Sequence, residues 1–136
     1  MGSKQPIIVE IPTFDIGEGG LTVIDRENPF PFPIARVYYL HNIPSGIVRG
    51  SHAHKELHQL IVAVSGKLEI VLDDGTTEQV FNLDSPNKGL LIYPGYWRTL
   101  RNFTEGSVAL VLASLPFEES DYIRDYNSFL EWKTAN

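Results

Sequence analysis

Two histidines one residue apart, His52 and His54, are the first side chains here whose type and spacing could do chemistry. They lie in the run Gly46-Ile-Val-Arg49-Gly-Ser-His52-Ala-His54-Lys55-Glu-Leu-His58-Gln59, which closes on Gly66. Side chains of an extended strand alternate between faces, so residues i and i+2 point the same way and both imidazoles share one face. Such a pair suits either a metal centre or proton transfer near neutral pH. Thiolate ligation, disulfides and cysteine nucleophiles are excluded, because the sequence has no cysteine.

The elements that must position these histidines are read from the rest of the chain. With 136 residues, 43% of them apolar, the sequence is sized for one domain, 1–136, with a proper core. A net charge of −6 and a pI near 5.1 argue against a nucleic-acid surface, while single arginines could still hold an anionic ligand in a pocket. No apolar run approaches the ~18 residues of a membrane span, so a soluble, cytoplasmic protein is expected. Short runs rich in Val, Ile, Leu and Tyr, punctuated by Gly, Pro, Asn and Asp, have the rhythm of an all-β sandwich or barrel. Strands are expected at Ile7–Ile11, Leu21–Ile24, Ala35–His41, Val48–His54, Leu60–Ser65, Lys67–Leu72, Glu78–Asn82, Gly89–Tyr93, Trp97–Asn102 and Ser107–Ser114. Turns at Ser65-Gly66 and Asp73-Asp74-Gly75-Thr76 should tie three of them into a meander. Asn28–Pro33 alternates proline with aromatic residues and must be a loop, because proline lacks the ladder donor. Tyr122, Tyr126 and Phe129 fall at helical spacing, predicting one short C-terminal helix over Glu118–Trp132 with Ser120 as its cap and these rings as packing.

Gly46, His52-x-His54, Gln59 and Gly66 reproduce the spacing of the first cupin motif, and Gly89-Leu-Leu-Ile-Tyr-Pro94-Gly95-Tyr96-Trp97-Arg98-Thr-Leu-Arg-Asn102 resembles the second. The resemblance implies a cupin jelly-roll barrel. Metal-binding cupins carry a glutamate where this chain has Gln59 and a histidine where it has Arg98. A neutral amide and a fixed cation replace two of four ligands, which disfavours a metal and leaves His52 and His54 as an acid/base pair.

A closer resemblance rests on Arg49-Gly-Ser-His52-Ala-His54-Lys55, Gln59, Gly66, Asp74-Gly75, Trp97 and the tail Glu119-Ser-Asp-Tyr122-Ile-Arg124-Asp125-Tyr126. Together these look like the nucleotide-sugar 3,4-ketoisomerases, the WxcM-like branch of the cupins, from about Thr13 to Phe129. The resemblance implies interconversion of dTDP-4-keto-6-deoxyglucose with its 3-keto isomer through an enediol or enediolate, with no cofactor, supplying an aminotransferase on the way to amino-deoxysugars of surface glycans. It also implies His54 as the main carbon acid/base with His52 as partner, or the reverse. Arg98 and Gln59 would steady the enolate oxygen or the sugar hydroxyls. Arg36, Arg49, Lys55 and Arg124 are the candidates for the diphosphate, and Tyr38, Tyr39 or Trp97 for the base. Where many relatives place an arginine near the N-terminus, this chain has Glu18, which cannot hold phosphate. A homodimer is expected, with an N-terminal strand such as Ile7–Ile11 exchanged between partners, since that strand left unpaired would be an aggregation-prone edge. Two other readings are a metal-dependent cupin dioxygenase and a non-catalytic sugar-binding module.

Overall fold

Alternation along each strand decides what reaches the interior, and in the computed structural model the alternating faces close on one another. The structure describes residues 4–25 and 29–136. The strands are β1 (Ile7–Glu10), β2 (Thr13–Asp15), β3 (Gly20–Thr22), β4 (Arg36–His41), β5 (Arg49–His54), β6 (Gln59–Ser65), β7 (Leu68–Asp73), β8 (Glu78–Leu83), β9 (Lys88–Ile92), β10 (Trp97–Arg101), β11 (Val108–Ala113) and β12 (Tyr122–Ile123). They form two five-stranded sheets, ordered β1-β9-β6-β11-β4 and β12-β5-β10-β7-β8, and a separate ribbon β2-β3, with antiparallel pairing throughout. The sheets face each other across a core that includes Ile61, Ile70, Leu72, Leu90, Ile92, Leu100 and Val111. This is the expected all-β cupin barrel with a short C-terminal helix.

The same period of two carries polar groups inward at one end of the barrel. Gln59 shares its face of β6 with Ile61, Arg98 shares its face of β10 with Leu100, and Tyr38 shares its face of β4 with Leu40; Ile61 and Leu100 are core, and Leu40 packs against them. On β5 the ladder to β10 slips, with Arg98 opposite His52 but Thr99 opposite Gly50, so Ser51 is the extra residue of a bulge. Gly50 takes φ +86°, and a Cβ there would stand 3.0 Å from the Arg98 carbonyl oxygen, so the close approach of the two strands requires glycine. The bulge aims His52 into the barrel.

The opposite face of the first sheet is covered by the proline-aromatic segment. Phe30 is fully buried against Leu60, Val62, Leu91 and Leu112. Pro29–Pro33 lies outside both sheets, as expected, while Asn28 falls outside the described residues.

Three expectations need correction. The Asp74-Gly75 turn joins β7 to β8 as a hairpin, with Asp74 Oδ1 accepting from the Thr76 and Thr77 amides, but β6 and β7 do not pair. Ser65-Gly66 instead carries the chain from one sheet to the other. Gly66 sits at φ +70° with Ser107 and Thr104 2.7 Å from where its Cβ would be. The second correction is a strand that sequence spacing did not show, β2, paired with β3. The third concerns the tail: Glu119–Asp121 is a single 3-10 turn, Tyr122–Ile123 is strand β12, and the helix α1 runs Tyr126–Ala135. Its cap is Asp125, whose side chain accepts from the Ser128 amide at 2.9 Å, and not Ser120. Pairing of Tyr122 with His54 and of Ile123 with Ala53 overrides the helical spacing of the aromatic residues. A ten-residue helix is too short to persist alone, and it is held by Phe129, packed on Ala53 and Ile123 with Trp97 against them. Burial of a phenylalanine contributes about 1.5–3 kcal/mol. The helix thus braces β5 from behind the two histidines.

Candidate active site

His52 and His54 face the same way from β5, their ring centroids 4.8 Å apart and nearly perpendicular. They are not equivalent. His52 lines a cavity of about 370 Å³ at the barrel mouth, whereas His54 is fully buried and does not line it. His54 Nδ1 meets Asp121 Oδ2 at 2.8 Å, and Nε2 is buried with no partner. Asp121 accepts a second bond on Oδ1, from the Glu56 amide at 2.7 Å. An ionised carboxylate only accepts, so Nδ1 carries the hydrogen and Nε2 keeps its lone pair. Burial first, then the Arg98 guanidinium, hold His54 well below the ordinary histidine range. The same causes lower His52 to about 4, with a backbone hydrogen bond to Gly50 acting the other way. Both rings are neutral bases at neutral pH.

Opposite them runs a chain of hydrogen bonds from strand to strand. Arg98 Nη1 donates to Gln59 Oε1 at 2.6 Å and Nη2 to the Tyr96 carbonyl at 3.0 Å, and Gln59 Nε2 donates to the Tyr38 hydroxyl at 3.1 Å. Arg98 is fully buried, which lowers it to about 10 and leaves it charged at neutrality. These are two of the slots at which other cupins bind metal, and the residues do not fit one. Gln59 already gives its oxygen to Arg98, His54 Nδ1 is engaged by Asp121, and a guanidinium offers a cation no lone pair. Among the described residues no three His, Asp or Glu side chains gather into a group that could hold a metal ion.

The cavity collects Arg36, Tyr38, Arg49, His52, Gln59, Arg98 and Arg124 from the expected set, together with Tyr122, and no carboxylate lines it. In a chain of net charge −6 this is a local concentration of cations. Arg36 Nη2 donates to the Tyr122 hydroxyl at 3.4 Å and its guanidinium lies 5.3 Å from the Tyr38 ring centroid. Arg124 stacks 4.2 Å over Tyr122 and pairs twice with Glu119, at 2.7 and 3.0 Å. That pair is exposed, so an incoming anion can replace Glu119 at little cost. Two expected residues are not brought to the cavity. Lys55 borders a neighbouring surface depression that shares Tyr122 and Arg124 with it, and Trp97 points from the outer face of β10 onto Tyr126 and Phe129. Glu18 is exposed near the ribbon β2-β3.

The positions of Asp121 and Tyr122 in the site are not predictable from their spacing. Both belong to the tail motif quoted above, but nothing in their spacing shows that the 3-10 turn folds Asp121 back under His54. The helical spacing predicts Tyr122 as helix packing. The structure sets its ring 4.4 Å from His54 and 5.0 Å from His52, roofing the pair.

Comparison with known proteins agrees with this geometry. The family model described as FdtA: WxcM-like, C-terminal, matches residues 4–134. The chain is 40% identical over 114 residues to a TDP-4-oxo-6-deoxy-alpha-D-glucose-3,4-oxoisomerase of Aneurinibacillus thermoaerophilus, covering 84% of this chain and 82% of that one. Among solved structures it is similar to a 3,4-ketoisomerase from Helicobacter canadensis, at 39% identity and TM-score 0.92, over 95% of this chain and 97% of that one. It is also similar to a histidine-to-asparagine mutant of the 3,4-ketoisomerase QdtA from Thermoanaerobacterium thermosaccharolyticum in complex with TDP-4-keto-6-deoxyglucose. There the identity is 36% and the TM-score 0.93, covering 96% of this chain and 95% of that one.

Proposed function

Since this chain belongs to the WxcM-like family, we propose that it is a metal-independent 3,4-ketoisomerase acting on a TDP-linked 4-keto-6-deoxyhexose. The observation that carries the reading is His52, a neutral base on the wall of a cavity whose other polar lining includes Tyr38, Gln59, Tyr122 and four arginines. Neither a dioxygenase nor a passive sugar-binding module is favoured: the first lacks a fitting ligand set, and the second has no use for a base held neutral beside donors.

Moving a ketone from C4 to C3 requires breaking the C3–H bond, forming a C3=C4 enediol or enediolate, shifting a hydroxyl proton from O3 to O4, and forming a C4–H bond. No net oxidation occurs. His52 takes the C3 proton, exchanges it with solvent at the open cavity and delivers a proton to C4; of the two orders the resemblance leaves open, this one is supported because His52 and not His54 lines the cavity. The developing oxyanion is met by Arg98 and Tyr38, preorganised donors in a site already desolvated by burial. Arg36, Arg49 and Arg124 hold the diphosphate. His54, braced by Asp121, supports His52 from behind and is a positioning residue in this scheme.

The proposal extends to a cytoplasmic homodimer, residues 1–136 forming one domain, feeding an aminotransferase that makes surface-glycan amino sugars. A second copy is supported by the ribbon β2-β3, where Phe14 and Leu21, with Ile16 in the connection between the strands, are 59%, 63% and 85% exposed. Contrary to the expectation that Ile7–Ile11 would be unpaired in one copy, β1 pairs with β9 of its own chain, so the outer edge of β1 and the apolar ribbon, not an exchanged strand, are what a second copy would cover. The enzymatic reading is tested by adding chelator-treated protein to TDP-4-keto-6-deoxyglucose and following the sugar by NMR. Appearance of a 3-keto isomer is expected, and an unchanged sugar contradicts it.

A further inference from the structure

The orientation of the Gln59 amide is forced. Arg98 can only donate, so the oxygen of the carboxamide must face it, and the amide nitrogen must then face Tyr38. The Tyr38 oxygen therefore receives a hydrogen from Gln59 and gives none back. Among the described residues no protein acceptor takes the Tyr38 hydroxyl hydrogen, which is left to the cavity that Tyr38 lines.

We propose that Gln59 is a positioning residue that fixes Tyr38 as a hydrogen-bond donor to the sugar oxygen that becomes an oxyanion. This deepens the ketoisomerase reading and rests on it. The same geometry requires an amide and not a carboxylate at this slot. A glutamate would accept from Arg98 and from Tyr38 together, turning the phenolic hydrogen away from the sugar. Burial, the largest cause, raises Tyr38 above the usual phenol value, so the hydrogen is retained at neutrality.

The test compares Gln59→Glu with Gln59→Met, both treated with chelator so that a created carboxylate cannot recruit a metal. Gln59→Glu should lower kcat by about 10²-fold with KM within a few-fold, whereas Gln59→Met, which leaves the phenol free, should lower it by only about 10-fold. Thermal stability should rank the other way, because the new carboxylate pairs with the buried Arg98. A merely structural Gln59 would make activity follow stability, and Gln59→Glu more active than Gln59→Met overturns the proposal. A second readout needs no turnover: NMR titration of the Tyr38 phenol, assigned with Tyr38→Phe. Its ionisation should move up by at least about one pH unit in Gln59→Glu, where it donates to a carboxylate. An unmoved or lowered value overturns the relay. If the unmodified protein leaves the sugar unchanged, the ketoisomerase reading fails, and the phenol titration still decides whether Gln59 sets the direction of the Tyr38 hydrogen.

Discussion

Asp121 Oδ2 lies 2.8 Å from His54 Nδ1 although 67 positions separate them in sequence. The contact exists because β12 pairs with the end of β5, folding the 3-10 turn beneath the histidine. With the Glu56 amide holding its other oxygen, Asp121 has one orientation, and so does the ring.

Asp121→Asn should invert that ring's hydrogen. The asparagine oxygen would keep the Glu56 amide and its NH2 would face Nδ1, which must then accept, moving the ring hydrogen to Nε2. The expected result is a fall in kcat of about 10- to 10²-fold with little change in KM. Nitrogen NMR of the imidazole should report the exchanged tautomer, and an unchanged tautomer with unchanged kcat removes Asp121 from the scheme.

The two histidines should separate in mutants. His52→Asn should lower turnover by about 10²-fold or more while TDP binding, measured by calorimetry, stays within a few-fold. His54→Asn should cost less, since it acts through its neighbour. Larger loss at His54 than at His52 would make His54 the carbon acid/base.

The pH dependence has a definite sign. Folding lowers both histidines, so between about pH 6.5 and about 4 the unfolded chain binds more protons than the folded one at His52. Stability from this group is full above the unfolded value and is lost as pH falls through that window, with His54 acting in the same direction. Urea midpoints should therefore drop from pH 7 to pH 5, and the drop should shrink in His52→Asn. In the free enzyme the acid limb of kcat/KM should fall near 4, well below an ordinary histidine, and a limb near 6.5 would show that His52 is not the base.

Assembly is tested at the ribbon. Light scattering should give a dimer at micromolar concentration, and Leu21→Asp, which puts a charge on an apolar surface exposed in one copy, should shift it toward monomer. A monomeric unmodified protein contradicts the dimer.

The barrel was legible because its strands alternate cleanly and its turns carry Gly and Asp at the required places. The same alternation made His52, Gln59 and Arg98 readable as neighbours, once the motif spacing had aligned them. What could not be read depended on contacts distant in sequence. Tyr122, Tyr126 and Phe129 are equally well spaced for a helix, and only pairing of Tyr122 with His54 shows that the first belongs to a strand. Trp97 was a candidate for the base, and its outward direction followed from Arg98 facing in. Ser65-Gly66 has the composition of a hairpin turn, but whether a turn returns to its own sheet or crosses to another is decided by what packs on it, here Thr104 and Ser107.

The most direct measurement is proton exchange during the reaction itself. Chelator-treated protein is incubated with TDP-4-keto-6-deoxyglucose in deuterium oxide, and the sugar is read by NMR. A single base that takes the C3 proton into an enediolate and returns one at C4 predicts a 3-keto product carrying deuterium at C4, with both isomerisation and exchange suppressed in His52→Asn. Isomerisation that stops when metal is removed, or that persists at full rate without His52, would contradict the account.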